Sequence, residues 1–195
     1  MRIFVAEALP ESLHEQLAAL LRELCHCGAD VRWIDPASMH LTLKFLGNVH
    51  ADALAPIDEV LRRVAATAPA TRGRLRGIGS FPHLRRPRVI WLGLEPLGDH
   101  LKSLQTSIER GLEEIGFAAE KRPFHPHITL GRVRGGGGRQ ALLEAIQAHR
   151  TSRLGDIRID ELTLFESKLG RRGARYSPLA TYRLRGAPGA SPNVG

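Results

Sequence analysis

The feature that most limits how this 195-residue chain can fold is a repetition. The segment His40-Leu41-Thr42-Leu43 returns 87 residues later as His127-Ile128-Thr129-Leu130, and the elements predicted around the two copies come in the same order. In the first half, a strand over residues 2–8 leads through Pro10 into an amphipathic helix over 11–27 that Gly28 stops; the β-type run 39–47 follows, then a helix over 52–68. In the second half, a helix over 99–115 ends at Gly116 and precedes the strand 127–133; after the glycine tract 135–138, read as a flexible loop, comes a helix over 139–150. Strands 73–81 and 88–95 read as one hairpin, and strands 156–167 and 174–185 as another. Phe81 follows His40 by 41 residues and Phe165 follows His127 by 38, each just ahead of a hairpin turn.

Two copies are too few for a solenoid, so they must pack on each other. The expected class is α+β: a bilobal duplicated fold of two antiparallel sheets with outer helices, related by a pseudo-twofold axis around a central cleft. Residues 1–185 read as a single domain of two interleaved, repeat-related lobes, and 186–195, which has no apolar pattern, as a flexible C-terminal tail. A hydrophobic content of 43%, 25% charged residues and a mean hydropathy of −0.17 exclude wholesale disorder and a coiled-coil rod. No apolar run approaches the ~18 residues of a membrane span, and Glu7 interrupts what a signal peptide would need, so the reading is cytoplasmic with no membrane partner. Cys25 and Cys27, one residue apart, read as reduced structural thiols.

Each copy of the repeat carries chemistry on one face of a strand. With a side-chain period of two, imidazole and threonine hydroxyl project together while the intervening Leu41 or Ile128 faces the core. A single His-x-Thr on a strand is more often an ordinary half-buried surface. Its recurrence in two strands otherwise filled with Leu, Ile and Phe, where packing alone favours apolar residues, points to a shared pocket of two imidazoles and two hydroxyls. That set suits the opening of a cyclic phosphodiester, which needs a base to take a proton from water and an acid to give one to the departing sugar oxygen. Two histidines titrating near pH 6.5 can be held one neutral and one protonated. The hydroxyls can donate to the phosphoryl oxygens without a metal. The net charge of +8, carried by 24 arginines against four lysines, fits a phosphate-bearing partner.

The sequence resembles the two-histidine phosphoesterase superfamily, and within it the bacterial RNA 2′,3′-cyclic phosphodiesterases, formerly called 2′,5′ RNA ligases. The likeness spans residues 2–185 and is most specific at Arg32-Trp33, at 39–47, and at 122–132 with both tetrads intact. It implies a bilobal α+β fold and hydrolysis of a terminal 2′,3′-cyclic phosphate to a 2′-phosphomonoester. By motif it implies His40 as proton donor to the 3′ oxygen and His127 as the acceptor that activates water, with Thr42 and Thr129 holding the phosphate. The near-symmetry of the tetrads leaves acid and base undistinguished by the residues themselves. Arg132, five residues past His127, falls on the opposite face of an ideal strand; a bend at Gly131 would return it to the pocket, where the family pattern has a phosphate-binding arginine. The expected partner is RNA with a cyclic phosphate end, tRNA fragments among the candidates, acted on by a monomer without cofactor.

Other readings compete. His125-Pro-His127 with His40 has the makings of a three-histidine metal centre, and Cys25-His26-Cys27 of a weaker one at a helix end, but no carboxylate accompanies the histidines of the tetrads. An ATP-using ligase would need a Lys-x-Asp-Gly or a Walker-type loop, and neither is present, so any 2′,5′ joining would be the phosphodiesterase step reversed. An RNA-binding module without turnover would use the arginine-rich segments 72–76, 85–88 and 171–175 as a basic rim. Phe4, Trp33 and Phe124 are candidates for stacking on a base, although strand aromatics mostly serve the core.

Overall fold

The computed structural model of the protein describes residues 1–170 and 173–186; the expected tail beyond Gly186 and the tip of the second hairpin lie outside them. In chain order the elements are β1 (Arg2–Ala8), α1 (His14–Cys25), β2 (Val31–Trp33), β3 (His40–Asn48), α2 (Leu54–Thr67), β4 (Thr71–Phe81) and β5 (Val89–Pro96). There follow α3 (His100–Glu113), β6 (His127–Val133), α4 (Arg139–Ala148), β7 (Arg153–Ile159), β8 (Glu161–Gly170) and β9 (Gly173–Arg183).

Helix burial follows the 3.6-residue period that the sequence announces. Leu17, Leu20, Leu21 and Leu24 of α1 are buried, as are Ile57, Val60, Leu61 and Val64 of α2. Gly28 and Gly116 terminate α1 and α3 with positive φ, as expected of chain reversals there. On the strands, Ile3 and Val5 of β1, Leu75 and Ile78 of β4, and Leu162 and Leu164 of β8 join the same core as the helix stripes. The opposite, concave face of the sheet carries the site.

The two sheets expected from the repeat are two halves of one. Among the described residues the strands form a single antiparallel sheet in the order β7-β4-β5-β6-β3-β1-β8-β9, with β2 pairing β6. The halves meet at β3 and β6 through one residue pair, Leu41 opposite Ile128. A seam this short lets the halves splay while keeping both tetrads adjacent. The lobes also exchange strands: β4, which follows α2 of the first repeat, pairs with β5 and β7, whereas β8, which follows α4 of the second, pairs with β1 and β9.

Two expectations need correction. The run 156–167 is not one strand but the end of β7 and most of β8, broken at Asp160, where the chain passes from one edge half of the sheet to the other. Glu7 secures that corner: its carboxylate oxygens accept from the backbone N–H groups of Asp160 and Glu161 at 3.4 and 3.2 Å. Burial pushes its carboxyl up to about 8. The glycine tract 135–138 is not a free loop either. Gly137 accepts from Asp30 N–H, Asp30 accepts from Arg134 N–H, and a Cβ on Gly138 would lie 2.7 Å from the Ala29 Cα, so the tract packs on the chain ahead of β2.

Candidate active site

The seam sets the geometry of the site. Leu41 and Ile128 face each other across it and are fully buried on the helix side. Stepping one residue each way along antiparallel strands brings His40 opposite Thr129 and Thr42 opposite His127, all four on the concave face. The two tetrads therefore lie head to tail, as the repeat requires.

Both imidazoles are held the same way. His40 Nδ1 sits 2.9 Å from the carbonyl oxygen of Ser38, and His127 Nδ1 sits 2.7 Å from that of His125, in each case two residues upstream. A carbonyl only accepts, so Nδ1 carries the proton and donates. Nε2 becomes the nitrogen whose protonation changes. Burial lowers both pKa values below the ordinary histidine value; the carbonyl bonds oppose that shift, and the positive charge of His127 lowers His40 further. His125 and Arg132 add to the lowering at His127. A phosphate anion placed between the rings would act in the opposite direction and favour a proton on one of them.

Behind each histidine stand two aromatic rings, and strand exchange supplies one of each pair. Phe4 of β1 lies 4.8 Å from the His40 ring centroid, and Trp91, its counterpart 87 residues on, lies 6.4 Å from His127. Phe165, from the second repeat, stacks on Phe4 beside His40; Phe81, from the first, stands edge-on to His127 at 5.0 Å. Each aromatic that the sequence places after one histidine thus supports the other. The crossing follows from β4 and β8 trading places, which no local pattern announces.

A cleft of about 290 Å³ opens on the His40 side, lined among others by Phe4, His40, Thr42, Phe45, Thr129, Arg132 and Tyr176. His127 is outside that lining, and its place is fixed by the register across the seam. Arg132 reaches the cleft as expected, but by a different device. Trp91 pairs with Thr129 and Ile90 with Gly131, so Leu130 is an extra residue in β6 and the bulge falls one position before Gly131. An equivalent slip in β3 skips Leu43, since Ala6 pairs with Thr42 and Val5 with Lys44. It turns Phe45 into the cleft and Lys44 toward the helices, where Lys44 meets Glu109 of α3. Parity counting along β3 misses Phe45 for this reason. Tyr176, edge-on to His40 at 4.9 Å, is missed because its strand belongs to the hairpin after the second repeat.

Other candidates fall elsewhere. His125 packs against Trp91 and Phe81, with ring centroids 4.8 and 5.4 Å away, and no three His, Cys, Asp or Glu side chains among the described residues converge as a metal site. His26 bonds the Arg22 carbonyl at the end of α1, as a capped terminus does. On β4, Arg74 pairs with Asp156 and Arg76 lies 4.0 Å from Glu95, so that arginine segment is partly neutralised. Arg85, Arg86 and Arg88 are exposed at the first hairpin, and 171–172 lie outside the described residues. Of the proposed stacking aromatics, Phe4 lines the cleft, while Trp33 and Phe124 pack against the core. No helix among the described residues is long and apolar enough to cross a membrane.

A family model described as the 2′-5′ RNA ligase superfamily matches residues 9–171. The chain belongs to that family. It is 33% identical over 172 residues to a protein of Aeropyrum pernix named RNA 2′,3′-cyclic phosphodiesterase, covering 88% of this chain and 96% of that one. It is 31% identical to a protein of the same name from Thermotoga maritima, covering 95% and 97%. Among solved structures, protein TT0787 of Thermus thermophilus superposes with a TM-score of 0.81 at 28% identity, covering 95% of this chain and 99% of that one. Escherichia coli LigT complexed with 3′-AMP gives 0.75 at 28% identity, covering 94% and 98%. The superpositions cover 95% and 94% of this chain, and so extend over the curled antiparallel sheet on which the two tetrads lie.

Proposed function

We propose that this protein hydrolyses the 2′,3′-cyclic phosphate at the end of an RNA to a 2′-phosphomonoester, by acid–base catalysis between His40 and His127 without a metal ion. The observation that carries the reading is the matched pair of imidazoles. Each has Nδ1 committed to a carbonyl two residues upstream and Nε2 without a hydrogen-bond partner among the described residues, on the two strands of the seam. The names of the relatives from Aeropyrum pernix and Thermotoga maritima favour the same substrate class.

In the forward reaction Nε2 of neutral His127 takes a proton from water as its oxygen bonds to phosphorus, and the P–O3′ bond breaks on the opposite side. Nε2–H of protonated His40 gives its proton to the departing 3′ oxygen. The hydroxyls of Thr42 and Thr129 and the guanidinium of Arg132 donate to the non-bridging oxygens, where negative charge builds. The histidines end with their protonation states exchanged and reset through solvent. With the 5′-hydroxyl of a second RNA in place of water, His127 would take its proton as the P–O5′ bond forms, and the P–O3′ bond would break with a proton from His40; this is 2′,5′ ligation without ATP, the reverse of cleaving a 2′,5′ phosphodiester to a cyclic phosphate. Residues 1–185 act in this scheme as one bilobal domain, monomeric, in the cytoplasm, with tRNA fragments among its substrates.

The test is to incubate the protein with an oligoribonucleotide ending in a 2′,3′-cyclic phosphate, in excess chelator, and to identify the product by its terminal phosphate position. A 2′-phosphate is expected. A 3′-phosphate would reverse the leaving oxygen, and binding without turnover would overturn the proposal in favour of a non-catalytic RNA-binding module.

A further inference from the structure

Two arginines stand directly opposite each other across β2 and β6. Arg32 pairs with Arg132, between the pairs Val31 with Val133 and Trp33 with Gly131. The side chains of Val31 and Trp33 lie 2.7 and 2.8 Å from where a Cβ on Gly131 would stand, and both pack against the core. Alternation along β2 therefore turns Arg32 to the other, concave face, alongside Arg132. Like charges directly opposite on neighbouring strands destabilise a sheet. Among the described residues neither guanidinium has a carboxylate partner that would offset this. The acids that flank Arg32 in sequence are engaged elsewhere. Asp30 directs its carboxylate at Gly135, with Oδ2 2.7 Å from where a Cβ there would stand, and Asp35 accepts from the Ala37 N–H at 3.0 Å.

The place of the pair gives it a use. Arg132 lines the cleft, whereas half-buried Arg32 lies outside that lining, one strand further over. The positive charge thus begins at the site of the reacting phosphate and continues past it onto β2. Nothing matches this on the other side of the seam. The position 87 residues beyond Arg32 is Ala119, and residues 117–126 form no strand against β3. An RNA that ends in a cyclic phosphate carries its next negative charge on the phosphodiester joining its last two nucleotides. A guanidinium adjoining the one at the reacting phosphate is placed for that second charge.

We infer that Arg32 binds the phosphodiester immediately upstream of the terminal nucleotide, next to the reacting phosphate at Arg132, so that the RNA chain leaves the cleft over β2. The inference rests on the cyclic-phosphate reading above and adds to it a subsite that separates the end of an RNA from a free cyclic mononucleotide. With both phosphates in place each guanidinium meets an anion in charge-assisted hydrogen bonds, which accounts for a pairing that is unfavourable in the protein by itself. A phosphodiester is the same after every base, so the subsite selects for a chain rather than for a sequence.

The test uses three substrates: uridine 2′,3′-cyclic phosphate, the dinucleotide ApU ending in a 2′,3′-cyclic phosphate, and the same dinucleotide with an uncharged methylphosphonate as its internal linkage. Arg32→Gln is expected to raise KM for the dinucleotide about tenfold, the effect of losing one charge-assisted contact, and to flatten the slope of log KM against log salt by about 0.7. Arg32→Lys keeps the charge and should keep the slope. KM for uridine cyclic phosphate, which lacks the internal linkage, should stay at the wild-type value in both variants, and so reports that they fold. The methylphosphonate should cost wild type about the same tenfold and cost Arg32→Gln nothing further. An unchanged KM for the dinucleotide in Arg32→Gln, equal losses on dinucleotide and mononucleotide, or a wild type indifferent to the methylphosphonate would overturn the subsite while leaving the hydrolytic reading intact. Failure of wild type to turn over any of the three compounds would overturn the hydrolytic reading itself, and the inference with it.

Discussion

Replacing Lys44 by Met keeps the length of the side chain and removes its charge and donors, so it isolates the ion pair beneath the active strand. The Lys44 side chain is 2% exposed and that of Glu109 is 15% exposed. Lys44 Nζ donates to Glu109 and also, at 2.9 Å, to the carbonyl of Ala118, tying β3 to the segment that leads into His125 and His127. Breaking a buried pair by removing one partner costs ~3–5 kcal/mol, chiefly because the remaining charge is left uncompensated. Glu109 keeps two donors, the Glu120 N–H at 3.2 Å and Gln105 Nε2 at 3.1 Å, which places Lys44→Met near the lower end, at ~3 kcal/mol. Adding Glu109→Gln removes the stranded charge and should recover at least half of that loss. Urea unfolding of the wild type, both single variants and the double variant gives the pair's coupling directly. A loss below ~1 kcal/mol in Lys44→Met, or a double variant no more stable than that single one, would refute the claim that this pair offsets the burial of the lysine.

Two pH dependences follow from the buried titrating groups. Burial lowers both histidines, so kcat/KM, which reports the free enzyme, should peak below pH 6.5 and fall as His40 loses its proton; kcat should hold to higher pH, because bound phosphate raises His40. A kcat/KM still level at pH 9 would contradict this. Glu7 holds its proton in the folded state up to about 8 against an ordinary value of 4.5, so the folded form binds the extra proton between those values. The stability Glu7 contributes is therefore whole below pH 4.5 and declines as pH rises toward 8. Urea midpoints of wild type should fall across that window more steeply than those of Glu7→Gln, and parallel slopes would count against it.

Most of the elements are legible in the sequence because their signals are local. The leucine and valine stripes of α1 and α2, the stops at Gly28 and Gly116, and the strand from His127 to Val133 all appear where the pattern puts them. The pairing of the tetrads is legible too, since a duplicated polar pair on strands has few places to go. What stays hidden depends on contacts between distant segments. The single sheet, the exchange of β4 and β8, and the break at Asp160 depend on which edges meet, and edge choice leaves no periodicity. The slips at Leu43 and Leu130 are hidden differently. Each inserts one residue into a run that still reads as alternating, and so reverses the faces of Lys44, Phe45 and Arg132 against simple counting. The bend near Gly131 is a partial reading of one slip, and Phe45 shows what is lost by missing the other.

The claim on which the rest stands is that His40 and His127 work on one phosphate as a unit. The direct test is the single-turnover rate of RNA cyclic-phosphate hydrolysis in His40→Ala, His127→Ala and the double variant, with RNA affinity measured alongside. Each single variant should lose about a thousandfold in rate at unchanged affinity, and the double variant little more, because either loss disables the same step. A single variant within tenfold of wild type, or losses that multiply in the double variant, would show that the two rings do not share a phosphorus atom.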